Sequence, residues 1–381
     1  MRLLTLVGLW AGLLLLPAAA QQVERIAPAG NVLTHYLDRA NIHPPVQLGR
    51  LTIFPISLSR THRLGGVLTM AGALKRGLLS IEELDPPDVR RAKFVNRSKS
   101  ETIFLMGGEV ITGGRQSRTL ASDALLGPDS AEVLPLYCVE KGRWAGKKGF
   151  AADTTMAPLA VRAGAARGAD QKEIWSEVAR ANRRLGSATA SEDLAAAMGK
   201  AENVKRLADL RGRILPKLPS TCAGLVLARG GTILAADLFN SAELFAGMRD
   251  KVLNSYLSQY GWGHPRAVES GRFTPPSQQE VRSYLHGCYR AGFSAGPSRG
   301  VGRIYHVRGV RTGQTLVYEG EIVPVRPLER PPVRDGGYMV HTALLPEVVP
   351  VRPDLPVPRV PRPPMPRPMP RPTPPEIPYR R

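Results

Sequence analysis

Between Gly107 and Trp144 the chain gathers five carboxylates, three guanidiniums and two glycine pairs in one stretch, GGEVITGGRQSRTLASDALLGPDSAEVLPLYCVEKGRW. Glu109 follows the first glycine pair at the end of an apolar run. Glu140 shares strand parity with Leu134, Leu136 and Cys138, so it points where a core or a cleft must lie. A carboxylate in that position is costly unless it is paired or faces water. Arg118 and Arg143 are the natural counter-charges, and a guanidinium fork holds a carboxylate or a phosphate through two parallel hydrogen bonds. These residue types support two kinds of chemistry. In the first, Glu109 and Glu140 act as general bases beside a small anionic or phosphorylated ligand. Gly108, Gln116, Arg118 and Arg143 hold that ligand, and Trp144 supplies a flat wall. In the second, the same charges form an ion-pair network that braces a sheet. Glycines at 107, 108, 113 and 114 permit positive φ or the close approach of another group.

Other chemistries lack their signatures. There is no His-Glu-x-x-His, no Cys-x-x-Cys and no glycine-rich Lys-Ser/Thr loop, so zinc and P-loop enzymes are disfavoured and no metal is expected. The residues name no cofactor. The net charge of +20 permits contact with anionic surfaces. With 6% aromatic residues and no recognisable binding module, however, nucleic acid is not an expected partner.

The elements that position these residues follow from periodicity and punctuation. Val46 to Ser59 predicts a first strand and Val67 to Lys75 a short helix stopped by Gly77; residues 78–84 and 91–96 predict further strands. The central stretch predicts three strands at 101–112, 116–124 and 131–140. They turn at Gly113-Gly114 and at Gly127-Pro128-Asp129, as an antiparallel meander. Helices follow in the middle of the chain. One is capped by Asp170 with Glu173 and buries Ile174, Val178, Ala181 and Leu185; a second spans residues 191–212. After a strand pair at 223–228 and 232–239, Ser241 caps a third helix presenting Leu244, Phe245, Met248, Val252 and Tyr256. Ser277-x-x-Glu280 opens a short fourth. A hairpin at 301–310 and 315–325, turning at Arg311-Thr312-Gly313, and a last strand at 338–344 complete the list. The fold class is therefore α+β, a largely antiparallel sheet with the mid-chain helices packed on it. Whether residues 300–345 extend that sheet or form a second unit is left open.

The same stretch carries a resemblance. GGEVITGGRQSR, Leu136 to Glu140 and Gly142-Arg143-Trp144 are joined by Gln171 to Val178 and by Ile233 to Phe239 running into Leu244-Phe245. Together these resemble the ARG and rhodanese-phosphatase-superfamily-associated protein domain over about residues 45 to 260. The resemblance implies ADP-ribose or phosphate chemistry. It also implies an acid between the Gln and Arg of GGRQSR, where this chain has Ser117.

The two ends differ from the middle. Residues 1–20 read as a secretory signal, with Arg2, an apolar run from Leu3 to Leu16, and Pro17-Ala18-Ala19-Ala20 before a mature start near Gln21. A secreted or periplasmic location follows, with no membrane span after cleavage. Residues 21–345 form the globular region. From Pro346 to Arg381 prolines alternate with seven arginines, a composition that builds no core and predicts a disordered basic arm suited to anionic cell-envelope polymer. A non-enzymatic envelope protein acting through that arm is thus the alternative to a ligand-binding or hydrolytic one. Three cysteines, Cys138, Cys222 and Cys288, allow at most one disulfide within the chain. Cys138 reads as a buried small hydrophobe, with a nucleophilic thiolate as the other possibility.

Overall fold

The structure, a computed structural model, describes residues 37–59, 66–146, 149–187, 191–260, 273–290, 293–295, 300–307, 311–318 and 321–329. The leader, the strand expected at 338–344 and the proline–arginine arm lie outside these residues.

In chain order the first strands are β1 (Ala40–Ile42), β2 (Val46–Leu48), β3 (Leu51–Leu58) and β4 (Val67–Thr69), followed by helix α1 (Met70–Lys75). Then come β5 (Leu79–Glu82), β6 (Arg91–Asn96), β7 (Thr102–Leu105), β8 (Glu109–Gly113), β9 (Arg118–Leu120), β10 (Ala124–Leu126), β11 (Ser130–Cys138) and β12 (Phe150–Met156). Four helices follow: α2 (Leu159–Ala166), α3 (Gln171–Arg184), α4 (Leu194–Gly199) and α5 (Ala201–Gly212). Strands β13 (Cys222–Arg229) and β14 (Thr232–Phe239) lead to α6 (Ala242–Tyr260) and α7 (Gln278–Arg290). The last elements are β15 (Phe293–Ala295), β16 (Arg303–Val307), β17 (Arg311–Tyr318) and β18 (Glu321–Glu329). The α+β class is the one the sequence predicts.

The strands form three sheets. The largest runs β1-β3-β13-β14-β18-β17-β16-β15, with β2 also on β3; the second is β12-β8-β9-β11-β6-β5, and the third β10-β7-β4. Every pairing is antiparallel except β4 with β7. Strands β3 and β13 are nearly continuous apolar runs because both of their faces are covered. Phe54, Ile56 and Leu58 share one core with Val281, Tyr284 and Leu285 of α7. Leu51 and Ile53 join the larger core, which includes Phe245, Met248, Val252 and Tyr256 of α6.

The helix caps are the expected ones. The Asp170 side chain accepts from the Glu173 amide at 2.8 Å. Ser241 Oγ accepts from the Leu244 amide at 3.2 Å. Ser277 and Glu280 form a reciprocal box, with Ser277 N donating to Glu280 Oε2 at 2.7 Å and Glu280 N to Ser277 Oγ at 3.1 Å.

Several boundaries differ from the sequence expectation. The strand expected at 46–59 turns at Gly49-Arg50 into the paired strands β2 and β3, and the helix expected at 67–75 starts only at Met70, after β4. The single strand expected at 101–112 is two: a turn at Met106 to Gly108, with Gly108 at φ +98°, passes the chain from β7 in the small sheet to β8 in the six-stranded one. The strand expected at 116–124 likewise divides into β9 and β10, which lie in different sheets. The helix expected at 191–212 breaks at Lys200, whose ψ of 135° is extended. Residues 311–313, expected as a turn, are strand, paired with Pro327 to Glu329. Because β18 pairs with β14, the C-terminal strands continue the nine-stranded sheet.

Candidate functional site

The charged residues singled out by the sequence do not form one cluster. Each takes its own partner. Glu109 is fully buried and accepts from Lys251 Nζ of α6 at 2.6 Å through Oε1, and from the Met106 amide at 2.8 Å through Oε2. Arg118 is also fully buried. Its counter-charge is Glu83, which accepts from Nη2 at 2.7 and 2.9 Å, while Nη1 donates to the carbonyls of Asp88 and Arg91. Glu140 holds Arg143 in a two-bond fork, Nε to Oε1 and Nη2 to Oε2 at 2.7 Å each, and accepts the Ser117 amide at 2.8 Å. Gln116 is buried and donates to the Glu140 carbonyl at 3.0 Å. Both oxygens of Glu109 and both of Glu140 are therefore occupied, which leaves neither well disposed to take a proton from a substrate.

Gly108 packs against Arg162. A Cβ at Gly108 would lie 2.5 Å from Arg162 Cγ, so the glycine admits the arginine stem rather than a ligand. Arg162 reaches Asp237 of β14 through two bonds, at 3.0 and 2.6 Å, and donates to Ser255 Oγ at 3.2 Å; both charged side chains are completely buried. The sequence holds one signal for this pair, an acid inside the otherwise apolar strand Ile233 to Phe239.

One part of the central stretch that reaches solvent is the corner where Arg115, Arg143 and Trp144 lie about the buried Glu140. It is held by strand ends on one side and by the start of α4 on the other. The Leu194 amide donates to the Val139 carbonyl, and the Gly142 amide to the Ser191 carbonyl, both at 3.0 Å. Gln171 of α3 prolongs the β11 ladder where it ends, pairing with the amide and carbonyl of Cys138 at 3.0 and 2.9 Å. Trp144 is 47% exposed. Two guanidiniums lie near its ring, Arg115 at 5.5 Å and Arg118 at 5.9 Å from the centroid. The indole thus serves as a platform for arginine. Arg143 also donates to the carbonyls of Gly114 and Ala145, which closes the 140–146 loop.

Asp193, which the sequence did not mark, stands close by. It caps α4 through the Ala195 amide at 2.9 Å and accepts from Ser117 Oγ at 3.3 Å. Ser117 therefore bridges two carboxylates, Glu140 through its amide and Asp193 through its hydroxyl. Burial, and then the charge of Glu140, raise the Asp193 carboxyl. Burial alone would raise Glu140 too, but the Arg143 and Ser117 hydrogen bonds outweigh it and hold that carboxyl below its usual range. A depressed carboxyl contributes stability that is complete above about pH 5 and is lost as pH falls through the folded value. Glu140→Gln should therefore cost roughly 1–2 kcal/mol near pH 7, the smaller end reflecting the part-exposed Arg143. The gap between wild-type and variant melting temperatures should shrink steadily on acidification to pH 3. A gap independent of pH would show that shape rather than charge matters at this position.

Cys138 and Cys222 carry free, buried thiols. Cys138 Sγ donates to the Glu140 carbonyl at 3.1 Å, and burial raises its pKa, opposite to what a nucleophilic thiolate needs. Among the described residues no group of three or more His, Cys, Asp or Glu is placed to hold a metal, and no helix is long and apolar enough to cross a membrane.

Fold and site together define an α+β domain of three mostly antiparallel sheets, pinned inside by ion pairs such as Glu109–Lys251, Arg118–Glu83 and Arg162–Asp237, with an arginine–tryptophan corner at its surface. Residues 39–326 match the family described as the ARG and Rhodanese-Phosphatase-superfamily-associated Protein domain, and the chain belongs to that family. The match extends into β18, as expected of a sheet that the C-terminal strands complete. No curated protein and no solved structure matches the chain.

Proposed function

We propose that this corner binds a small anionic ligand, a phosphorylated one by preference, outside the cytoplasm. The observation that carries the reading is a local imbalance of charge. Of the three arginines around Trp144 and its loop, Arg118 is neutralised by Glu83 and Arg143 by Glu140. Arg115 has neither a hydrogen bond nor an ion pair from its guanidinium to any described residue, yet it is held beside the indole. A guanidinium steadied on an aromatic ring and left with open donors is suited to a phosphate oxygen pair. The leader-like residues 1–20 support the placement outside the cytoplasm. The reading is one of binding, since the carboxylates nearby are already committed to protein donors.

Calorimetric titration with inorganic phosphate, a sugar phosphate, AMP and ADP-ribose tests it. At least one phosphorylated probe should bind, more weakly as salt is added. Arg115→Ala should weaken that binding at least about tenfold, the loss of one charge-assisted contact, with the melting temperature unchanged. A wild type that binds none of the probes at millimolar concentration, or an Arg115→Ala variant that binds as well as wild type, would remove the proposal.

A further inference from the structure

A serine and a histidine meet near the β1 edge of the nine-stranded sheet. His43 Nε2 and Ser57 Oγ are 2.7 Å apart. Ser57 sits near the end of β3, between Asn41 of β1 and Cys222 of β13. His43 is fixed at both ends. Its amide donates to the Pro55 carbonyl at 2.9 Å, Ile42 before it is paired with Ile56, and Pro44-Pro45 after it restrict its backbone. Among the described residues Ser57 is the one hydrogen-bond partner of the His43 side chain. Residues directly opposed in an antiparallel pair share a face. Asn41, exposed, therefore stands on the same side of the sheet as Ser57. The arrangement supplies a hydroxyl that is itself 5% exposed, a half-buried imidazole within hydrogen-bond reach of it, and the exposed amide of Asn41 on the same face.

We propose that Ser57 and His43 form a nucleophile–base pair that cleaves small carboxylic esters, with Asn41 stabilising the developing oxyanion. Ser57 Oγ bonds to the ester carbonyl carbon as its proton passes to His43 Nε2. The acyl–oxygen bond then breaks and the departing alkoxide takes that proton, leaving an acyl-serine. Water, giving a proton to His43, attacks the same carbon; Ser57 Oγ departs with the proton, releasing the carboxylic acid and restoring the pair. Atoms and charges balance without a metal or co-substrate.

The test uses the full chain with a fluorophosphonate, which phosphonylates activated serines whatever their natural ester, and with p-nitrophenyl acetate. Peptide mass spectrometry should find the adduct on Ser57. Ser57→Ala should abolish both labelling and acetate release. His43→Gln keeps a side-chain hydrogen-bonding partner for Ser57 but removes the base. It should retain the wild-type melting temperature while labelling falls at least about a hundredfold, the scale of general-base catalysis. Asn41→Ala should lower the rate about tenfold or more, in the direction expected for a lost oxyanion donor. An unlabelled Ser57 in the wild type, an adduct confined to other residues, or labelling that survives in His43→Gln would each overturn the assignment and leave a merely structural hydrogen bond.

Discussion

Asp237→Asn should destabilise the protein by roughly 3–5 kcal/mol, because it strands a buried guanidinium. Arg162 and Asp237 are each wholly inaccessible to water and joined by two hydrogen bonds. Burial by itself would lower the Arg162 pKa, yet the Asp237 carboxylate keeps it raised, so the arginine stays charged and needs its partner. Beside the pair, Tyr256 is buried and its phenol is pushed well above its usual pKa by burial and then by Asp237. The measurement is the urea midpoint at constant slope. A double replacement, Arg162→Met with Asp237→Leu, should recover much of the loss, since removing both charges removes the desolvation cost along with the attraction. A single Asp237→Asn variant as stable as wild type would mean that the pair contributes nothing. Ligand binding at the Arg115 corner should persist in any variant that stays folded, which separates the internal brace from the proposed site.

Gly108→Ala should be nearly as damaging, by a different route. The residue sits at φ +98°, a conformation that L side chains rarely adopt, and its new Cβ would meet Arg162 Cγ at 2.5 Å and Cδ at 2.9 Å. The backbone contribution is about 1–3 kcal/mol. The clash adds to it by pushing Arg162 off Asp237. Gly77→Ala is the control, since Gly77 is at φ +67° with nothing within 4 Å of its Cβ position and bears only the backbone cost. In an Arg162→Ala background the steric share of the Gly108→Ala penalty should vanish, leaving a cost close to that of Gly77→Ala. A double-mutant cycle reads this as a coupling between the two positions. Additive effects would show that Arg162 is not what Gly108 accommodates. Coupling would assign Gly108 to packing against Arg162 and not to contact with a ligand.

These two predictions rest on contacts that no local pattern announced. Much else was legible. The caps at Asp170, Ser241 and Ser277 follow from side-chain oxygens placed at the first unsatisfied amides of helices whose apolar spacing was already visible. Alternation and glycine-rich turns marked the antiparallel strands. Glu140 with Arg143 was within reach of the sequence as well, because three residues of loop bring them together whatever else the chain does. The remaining partnerships join residues far apart: Glu109 to Lys251 across 142 positions, Arg162 to Asp237 across 75, and Arg118 to Glu83 across 35. Periodicity states that a residue faces inward, as Asp237 must in its apolar strand and Lys251 on the inner side of α6, but not which face of which element it meets. That choice belongs to the packing of three sheets against the mid-chain helices, where charges are forced to pair over a few ångströms once water is excluded. The sequence by itself thus determined the elements, their ends and the presence of buried charge. Only the tertiary structure decided which charges neutralise one another inside, and that the Arg115 guanidinium beside Trp144 has no such partner among the described residues.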